Sequence, residues 1–474
     1  MAEETKYQKL EKKLKSEKKN SWEVWGEEEK SKALEFSEPY KNFLNQAKTE
    51  REAVKVGVKI AEEKGFKEIS TCQNLKAGDK VYVVNRDKNL ILAVIGKRLL
   101  DDGFRLVMSH VDSPRLDLKV NPLYEEEDLA FLKTHYYGGI KKYHWPTIPL
   151  ALHGTIVLEN GEKKDVKIGE EDSDPVFMIT DLLPHLSRKQ FKKTLEEAIV
   201  GEELNLLVGS IPVNDKEVKE KVKLAVLEYL NKEYGMTEED FFSADLQAVP
   251  SSRARDIGFD RSMIAGYGQD DSVCAWSSLI SLFDSQVVDQ TQICLWIDRE
   301  EIGSEGTTGA QSIFFESFIA KLLELVGTEK NNIKDVYQVF GKSEAISSDV
   351  TAALDPDYRE VAEARNSAKM GYGVAMERYT GSGGKYCTSE ASAEYIQKIR
   401  KILDENKVVW QTAELGRIDE GGGGTIAVYM AKRNIDIIDM GVALFNMHAP
   451  LEIASKADIY SAYLAYKAFF IGQK

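Results

Sequence analysis

SVCAWSSLISLF at 272–283, QTQICLWIDRE at 290–300 and SIFFESFIAKLLELV at 312–326 read in turn as helix, strand and helix. The middle segment is apolar at consecutive positions from Ile293 to Ile297, as in a strand buried on both faces, and the apolar helices on either side supply its cover. The same rhythm extends outward. DKVYVVNR (79–86), NLILAVIG (89–96) and FRLVMSHVDSP (104–114) alternate or run apolar between turn residues, and GGTIAVYMA (423–431) with NIDIIDMGV (434–442) reads as further core strand. Helices between buried strands predict an α/β fold with a mixed central sheet flanked by helices on both faces. Residues 1–65 read as helices rich in Glu and Lys, closing with REAVKVGVKIAEEKGF. Residues 119–250 depart from the pattern: LHGTIVLENGEKKDVKIG (152–169) looks like a hairpin through Glu159, Asn160 and Gly161, and a charged segment follows. A chain of 474 residues exceeds the roughly 250–300 at which single cores stop growing. We therefore divide it into a first core part (1–118), an inserted β-rich domain (119–250) and a second core part (251–474).

Composition narrows the function. The formal net charge of −15 argues against a nucleic-acid partner, and the basic run KKLKSEKK (12–19) is interrupted by acid, as on a solvated helix face. No stretch approaches the roughly 18 uninterrupted apolar residues of a membrane span, and MAEETKYQKLEKKLK lacks the apolar segment of a secretory signal. Cys72, Cys274, Cys294 and Cys387 are scattered without a CxxC spacing. The expectation is a cytoplasmic protein without structural disulfides.

Six residues far apart in the chain are the right types for a two-metal hydrolytic centre, and each follows a strand-like run. They are His110 in SHVDSPRL, Asp270 in GYGQDDSVCAW, Glu300 and Glu301 in LWIDREEIGSEG, Asp349 in AISSDVTAALDP and His448 in LFNMHAPLE. Two imidazoles and three carboxylates can coordinate two divalent ions while a fourth carboxylate moves a proton. Ionised Asp270, Glu301 and Asp349 with one hydroxide neutralise two dications, so one acid is surplus. Adjacent side chains on an extended strand face opposite ways, and only a turn, which Gly303 would permit, brings both glutamates to one place. Glu301 is assigned as ligand and Glu300 as general base. Asp112, two positions after His110, fits the role of holding the other ring nitrogen of that histidine. Nitrogen and oxygen donors without thiolate suit Zn²⁺, and also Co²⁺ or Mn²⁺.

The order HxD, DD, EE, Asp and a late His resembles the M18 metallo-aminopeptidases, the aspartyl aminopeptidase family, among the cocatalytic zinc exopeptidases. The resemblance runs over nearly the whole chain and includes HYYGGIKKYHWPTIPLALHGTIVL (135–158), LLPHLSR (182–188) and the glycine-rich segment through MHAPLE (421–452). It implies a zinc-exopeptidase-like catalytic domain with 119–250 as a dimerisation domain, and two metal ions per subunit. It places His110 and Glu301 on one ion, Asp349 and His448 on the other, and Asp270 between them, with a cis peptide joining Asp270 to Asp271. It implies that His185, in the PHL segment, reaches the active site of a neighbouring subunit, and that the chain forms a homo-oligomer, a tetrahedral dodecamer built from dimers. The activity implied is removal of single N-terminal residues from peptides. Acidic N-termini are expected from the family and neutral ones from some relatives, since the cations Lys369, Arg378 and Lys385 align loosely.

Other readings carry less. YTGSGGKYCTS (379–389) fails as a phosphate loop because Tyr379 stands where glycine is required and Tyr386 follows Lys385. DEGGGGTIAVY (419–429) opens onto strand-like residues, which weakens a dinucleotide reading; its glycines either let backbone approach a substrate or form a tight turn. Cys274 reads as a buried helix residue, not a nucleophile, and His185 could simply start a helix after Pro184. The same metal chemistry also serves deacylases and carboxypeptidases, and a scaffold role is the alternative from another class.

Overall fold

The computed structural model describes residues 5–286, 289–328 and 332–472. Nine strands form the central sheet, in the order Lys67–Glu68, Lys80–Asn85, Asn89–Val94, Thr291–Ile297, Phe104–His110, Glu344–Ser347, Asp436–Gly441, Val374–Glu377 and Trp410–Thr412. The sheet is mixed, as expected. The four strands from Thr291–Ile297 to Asp436–Gly441 run parallel, and antiparallel pairs join at both sides.

Alternation along these strands builds two cores. Leu90, Leu92, Val107, Cys294, Trp296 and Ile346 face a layer made by the helices Glu27–Gln46, Glu50–Glu63, Gln269–Phe283, Ala393–Glu405 and Lys456–Ile471. Ile91, Ala93, Leu106, Met108, Ile293 and Leu295 face the helices Phe314–Leu325 and Ile333–Phe340. Because successive side chains point to opposite faces, a strand covered on both sides must be apolar throughout, and this is why ICLWI at 293–297 reads as an unbroken run. The covering helices carry the matching stripe: Ala53, Val54, Gly57 and Ala61 are the buried non-polar positions of Glu50–Glu63, spaced one turn apart.

The segment 423–431 differs from expectation. Only Gly422–Gly423 is extended, and Ala427–Ala431 is a helix. Ile426, Ala427 and Met430 are buried at helical spacing in the same core as Ile435 and Ile437, so an apolar run that read as strand is one helical face. Gly422–Gly423 pairs with Gly381–Ser382, tying the two glycine-rich stretches into a small ribbon.

A seven-stranded antiparallel sheet occupies Arg115 to Pro250, in the order Lys163–Ile168, Leu150–Val157, Ala244–Pro250, Arg115–Glu126, Leu129–Tyr137, Leu206–Gly209 and Met178–Ile179. It packs under the helix Lys221–Tyr234 around a separate core that includes Leu116, Leu132, Trp145, Leu152 and Leu246. It begins at Arg115, four residues before the expected boundary at 119, because the chain turns from the end of the central strand straight into the second sheet. Buried ion pairs seat it on the helical layer. Lys48 Nζ lies 2.6 Å from Glu170 and 2.7 Å from the Pro250 carbonyl, and His153, buried, lies between Glu52 and Glu170.

A third, five-stranded sheet gathers Arg255–Ile257, Met263–Gly266, Glu452–Ser455, Ala443–Phe445 and Thr351–Ala352. Its register sets Gly266 opposite Glu452 and Thr351 opposite Ala443, so the chain ends leading to Asp270, Asp349 and His448 meet at one place.

Candidate metal centre

That place lies beyond the carboxyl edge of the parallel strands, where open α/β sheets form their sites. His110 is the last residue of its strand and stands opposite Ile297, so Glu300 and Glu301 follow just past the same edge. Ser347 pairs with Met108, and Asp349 follows two residues later. Asp270 comes from the first turn of Gln269–Phe283, and His448 from the loop between Phe445 and Glu452. The Asp270–Asp271 peptide is cis.

Asp270 stands between the two imidazoles. One carboxylate oxygen lies 3.0 Å from His110 Nε2 and the other 3.1 Å from His448 Nε2. Asp349 Oδ1 lies 3.8 Å from His110 Nε2, and Glu301 Oε1 lies 3.4 Å from His448 Nε2 without a hydrogen bond. The nearest pairs are therefore His110 with Asp349 and His448 with Glu301. The family resemblance instead paired His110 with Glu301 and Asp349 with His448; the small sheet brings His448 close to Glu301. Ligand atoms of His110, Asp270 and Glu301 also fall within 4.8 Å of one another, as do those of His110, Asp271 and Asp349.

The Glu300–Glu301 turn is a single 3-10 turn, Glu300–Ile302, between Arg299 at φ 71° and Gly303 at φ 93°. Its backbone amides are held by Asp112: Glu300 N donates to Oδ1 at 3.1 Å and Glu301 N to Oδ2 at 3.2 Å. The His110 Nδ1 atom meets the Asp112 backbone carbonyl at 2.9 Å, whereas the Asp112 carboxylate is 3.5 Å away. Asp112 thus orients the histidine through its main chain and the glutamates through its side chain, because the strand has ended and the expected same-face geometry no longer applies.

Sequence reasoning missed Glu452. Its carboxylate accepts from Asp270 N at 3.0 Å and from His448 N at 2.7 Å, clamping two segments at once. The signal in the sequence was an acid four positions after His448, at the start of the strand Glu452–Ser455. Also unforeseen were Tyr137, whose hydroxyl donates to Asp112 Oδ2 at 2.8 Å, and Gly139, whose carbonyl lies 2.8 Å from His448 Nδ1.

The electrostatics are those of acids crowded away from water. Burial pushes Glu301 and Asp349 well above the ordinary carboxylate range, and Asp270 adds to both. Burial likewise pushes Glu300 up to about 7, with Asp112 and Asp270 contributing. For Asp270 burial opposes ionisation, yet hydrogen bonds from both imidazoles hold it below the usual range. Burial disfavours charge on the histidines, but Asp112 and Asp270 lift His110 well above its ordinary value, and Asp270 with Glu301 lifts His448 to about 10. None of Asp270, Glu300, Glu301 and Asp349 pairs with a lysine or arginine among the described residues. Buried carboxylates without basic partners call for cations, and this nitrogen and oxygen set fits a divalent metal.

His185 is elsewhere. It lies exposed in a turn, not at a helix start, within the inserted sheet's 180–200 segment, and its side chain has no hydrogen bond or ion pair to any of these residues. Leu182, Leu183, Leu186, Phe191 and Leu195 around it are also exposed. Of the three cations considered for an acidic substrate, Arg378 and Lys385 both engage Glu390, at 3.0 and 3.2 Å, and Lys369 is exposed.

The donor set and its place in the sheet are those of a metal-dependent hydrolase. Residues 43–470 match the family described as aminopeptidase I zinc metalloprotease (M18). The chain belongs to that family and is a metallo-aminopeptidase. A probable M18 family aminopeptidase 1 of Clostridium acetobutylicum is 49% identical over 460 residues, covering 96% of this chain and 98% of that relative. The crystal structure of an M18 aminopeptidase from Thermotoga maritima superposes with a TM-score of 0.93 at 43% identity, covering 97% of this chain and all of that one. A structure of the Saccharomyces cerevisiae mApe1 dodecamer shares the fold at a TM-score of 0.73 and 19% identity, over 92% of this chain and 96% of that one.

Proposed function

We propose that the protein removes single N-terminal residues, acidic or neutral, from peptides, using two divalent metal ions per subunit. The observation that carries this is Asp270, whose two oxygens face two separate imidazoles at 3.0 and 3.1 Å, the placement a bridging carboxylate needs. His110 and Asp349 would hold one ion, Glu301 and His448 the other, and Asp270 both. Bound there, most fittingly as Zn²⁺ with Co²⁺ or Mn²⁺ as alternatives, the ions would polarise a scissile carbonyl and activate water near neutral pH. Glu300, buried beside Asp270 on the turn that Asp112 holds, takes a proton from the attacking water and delivers it to the leaving amine. Asp112 and Glu452 keep the backbone carrying these groups in place.

Exposed leucines and Phe191 around His185 support an assembly in which 119–250 is the dimerisation domain and His185 completes a neighbour's site. The dodecameric S. cerevisiae relative supports a dodecamer, which we take to be built from dimers in a tetrahedral arrangement. Four free cysteines fit a reducing cytoplasmic location, and no helix among the described residues is long and apolar enough to cross a membrane.

The test is hydrolysis of Asp, Glu, Leu and Met derivatives with free and blocked amines, before and after chelation. Activity on free amines only, abolished by chelator and restored by zinc, is expected. Full turnover after verified metal loss would sink the reading, and hydrolysis of blocked substrates would assign the site to a deacylase.

A further inference from the structure

The strand Leu129–Tyr137 of the inserted sheet ends against the metal centre, and its exit makes three contacts there. Tyr137 donates its hydroxyl to Asp112 Oδ2 at 2.8 Å, the same oxygen that accepts from Glu301 N. Gly138, at φ 73°, passes so close that a Cβ on it would lie 3.3 Å from both Cβ and Oε2 of Glu301. The Gly139 carbonyl takes His448 Nδ1. The tyrosine is itself fixed: the Arg115 guanidinium lies 3.9 Å from its ring centroid and is held by Glu50 at 3.1 Å and Asp117 at 2.8 Å.

We propose that Tyr137 is a positioning residue for the reaction, acting through Asp112 on the Glu300–Glu301 turn, in a strap that also seats His448. Two backbone amides alone leave the Asp112 carboxylate free to tilt with the turn it holds. A third donor from a separate, rigid sheet fixes its plane, and with it the direction of Glu300. Such restraint matters because catalytic groups must be held to within about 0.5 Å. It also explains why glycine stands at 138: the strap must lie on the site without filling it.

The inference rests on the function proposed above, and its test separates the two. Tyr137→Phe keeps the ring and its stacking on Arg115 and removes only the hydroxyl. Measured on assembled protein with full metal content, it should lower kcat by about 10- to 100-fold, the scale of a lost hydrogen bond to a charged group, with KM and metal content unchanged. Undiminished kcat, or a loss confined to KM or to metal content, overturns the proposal. If the Phe variant does not fold, Gly138→Ala tests the same strap, and a folded Gly138→Ala enzyme with unaltered kcat overturns it. Glu300→Gln is run in parallel. An inactive wild type or a fully active Glu300→Gln refutes the catalytic reading, whereas an active wild type, an inactive Glu300→Gln and an undiminished Tyr137→Phe refute only the strap.

Discussion

Glu300 and Glu301 are adjacent, and the proposed mechanism gives them opposite fates on substitution. Glu300→Gln preserves shape and leaves the turn intact, because Asp112 grips the backbone amides of 300 and 301 and not their side chains. What it removes is a proton acceptor, a loss of about 10²–10⁴-fold in turnover, or about 3–5 kcal/mol of transition-state stabilisation at 1.36 kcal/mol per decade. Metal content should stay at the wild-type level. Glu301→Gln instead removes the anion 3.4 Å from His448 Nε2. The proposed ligands then offer two negative charges to two dications in place of three, and bound metal should fall. Steady-state kinetics with metal analysis per chain reads both outcomes. The pH profile adds a sign: Glu300 acts deprotonated, so activity is present above its pKa and lost as pH falls through it. Burial, with Asp112 and Asp270 beside it, raises that value to about 7 in the metal-free site, and neighbouring dications lower it, so the acid limb should lie below 7 and be missing from the residual rate of Glu300→Gln. If Glu300→Gln loses metal while Glu301→Gln keeps it, the assignment of the pair is reversed. If both retain full turnover, neither glutamate takes part.

Mixing inactive His185→Ala subunits with inactive Glu300→Gln subunits should restore part of the activity, since a mixed dimer contains one site with both residues intact; demonstrated exchange without recovery would return His185 to a surface role. A Cβ at Gly441 would lie 1.8 Å from the Asp349 carbonyl oxygen, so Gly441→Ala must displace Asp349 and should cost about 10²-fold or more in activity; a fully active, metal-replete variant contradicts the placement of Asp349. Lys48→Met takes the ammonium from Glu170 and leaves His153 as its basic partner, and should lower the unfolding free energy by about 2–3 kcal/mol, as for one lost hydrogen bond between charged groups; an unchanged denaturation midpoint would show that the pair does not seat that sheet.

The residue types at 110, 270, 300, 301, 349 and 448 pointed to a candidate metal centre before any fold was known, because turn-prone surroundings after apolar runs are a local property. The mixed sheet was legible for the same reason: a strand covered on both faces must be apolar at every position, and 293–297 is. Where local pattern is ambiguous the reading failed. An apolar run after four glycines fits a strand or one face of a helix, and only packing against Ile435 and Ile437 made 427–431 helical. Which ligands are neighbours was likewise beyond the sequence. The register that sets Gly266 opposite Glu452 and Thr351 opposite Ala443 puts His448 beside Glu301 and leaves Asp349 with His110. The parts played by Tyr137, Gly139 and Glu452 arise from the same contacts. Sequence determined the chemistry of the donors and the layers that carry them, because those depend on side-chain type and short-range period. Tertiary structure decided which donors face one another, because strand pairing between residues hundreds of positions apart leaves no local mark.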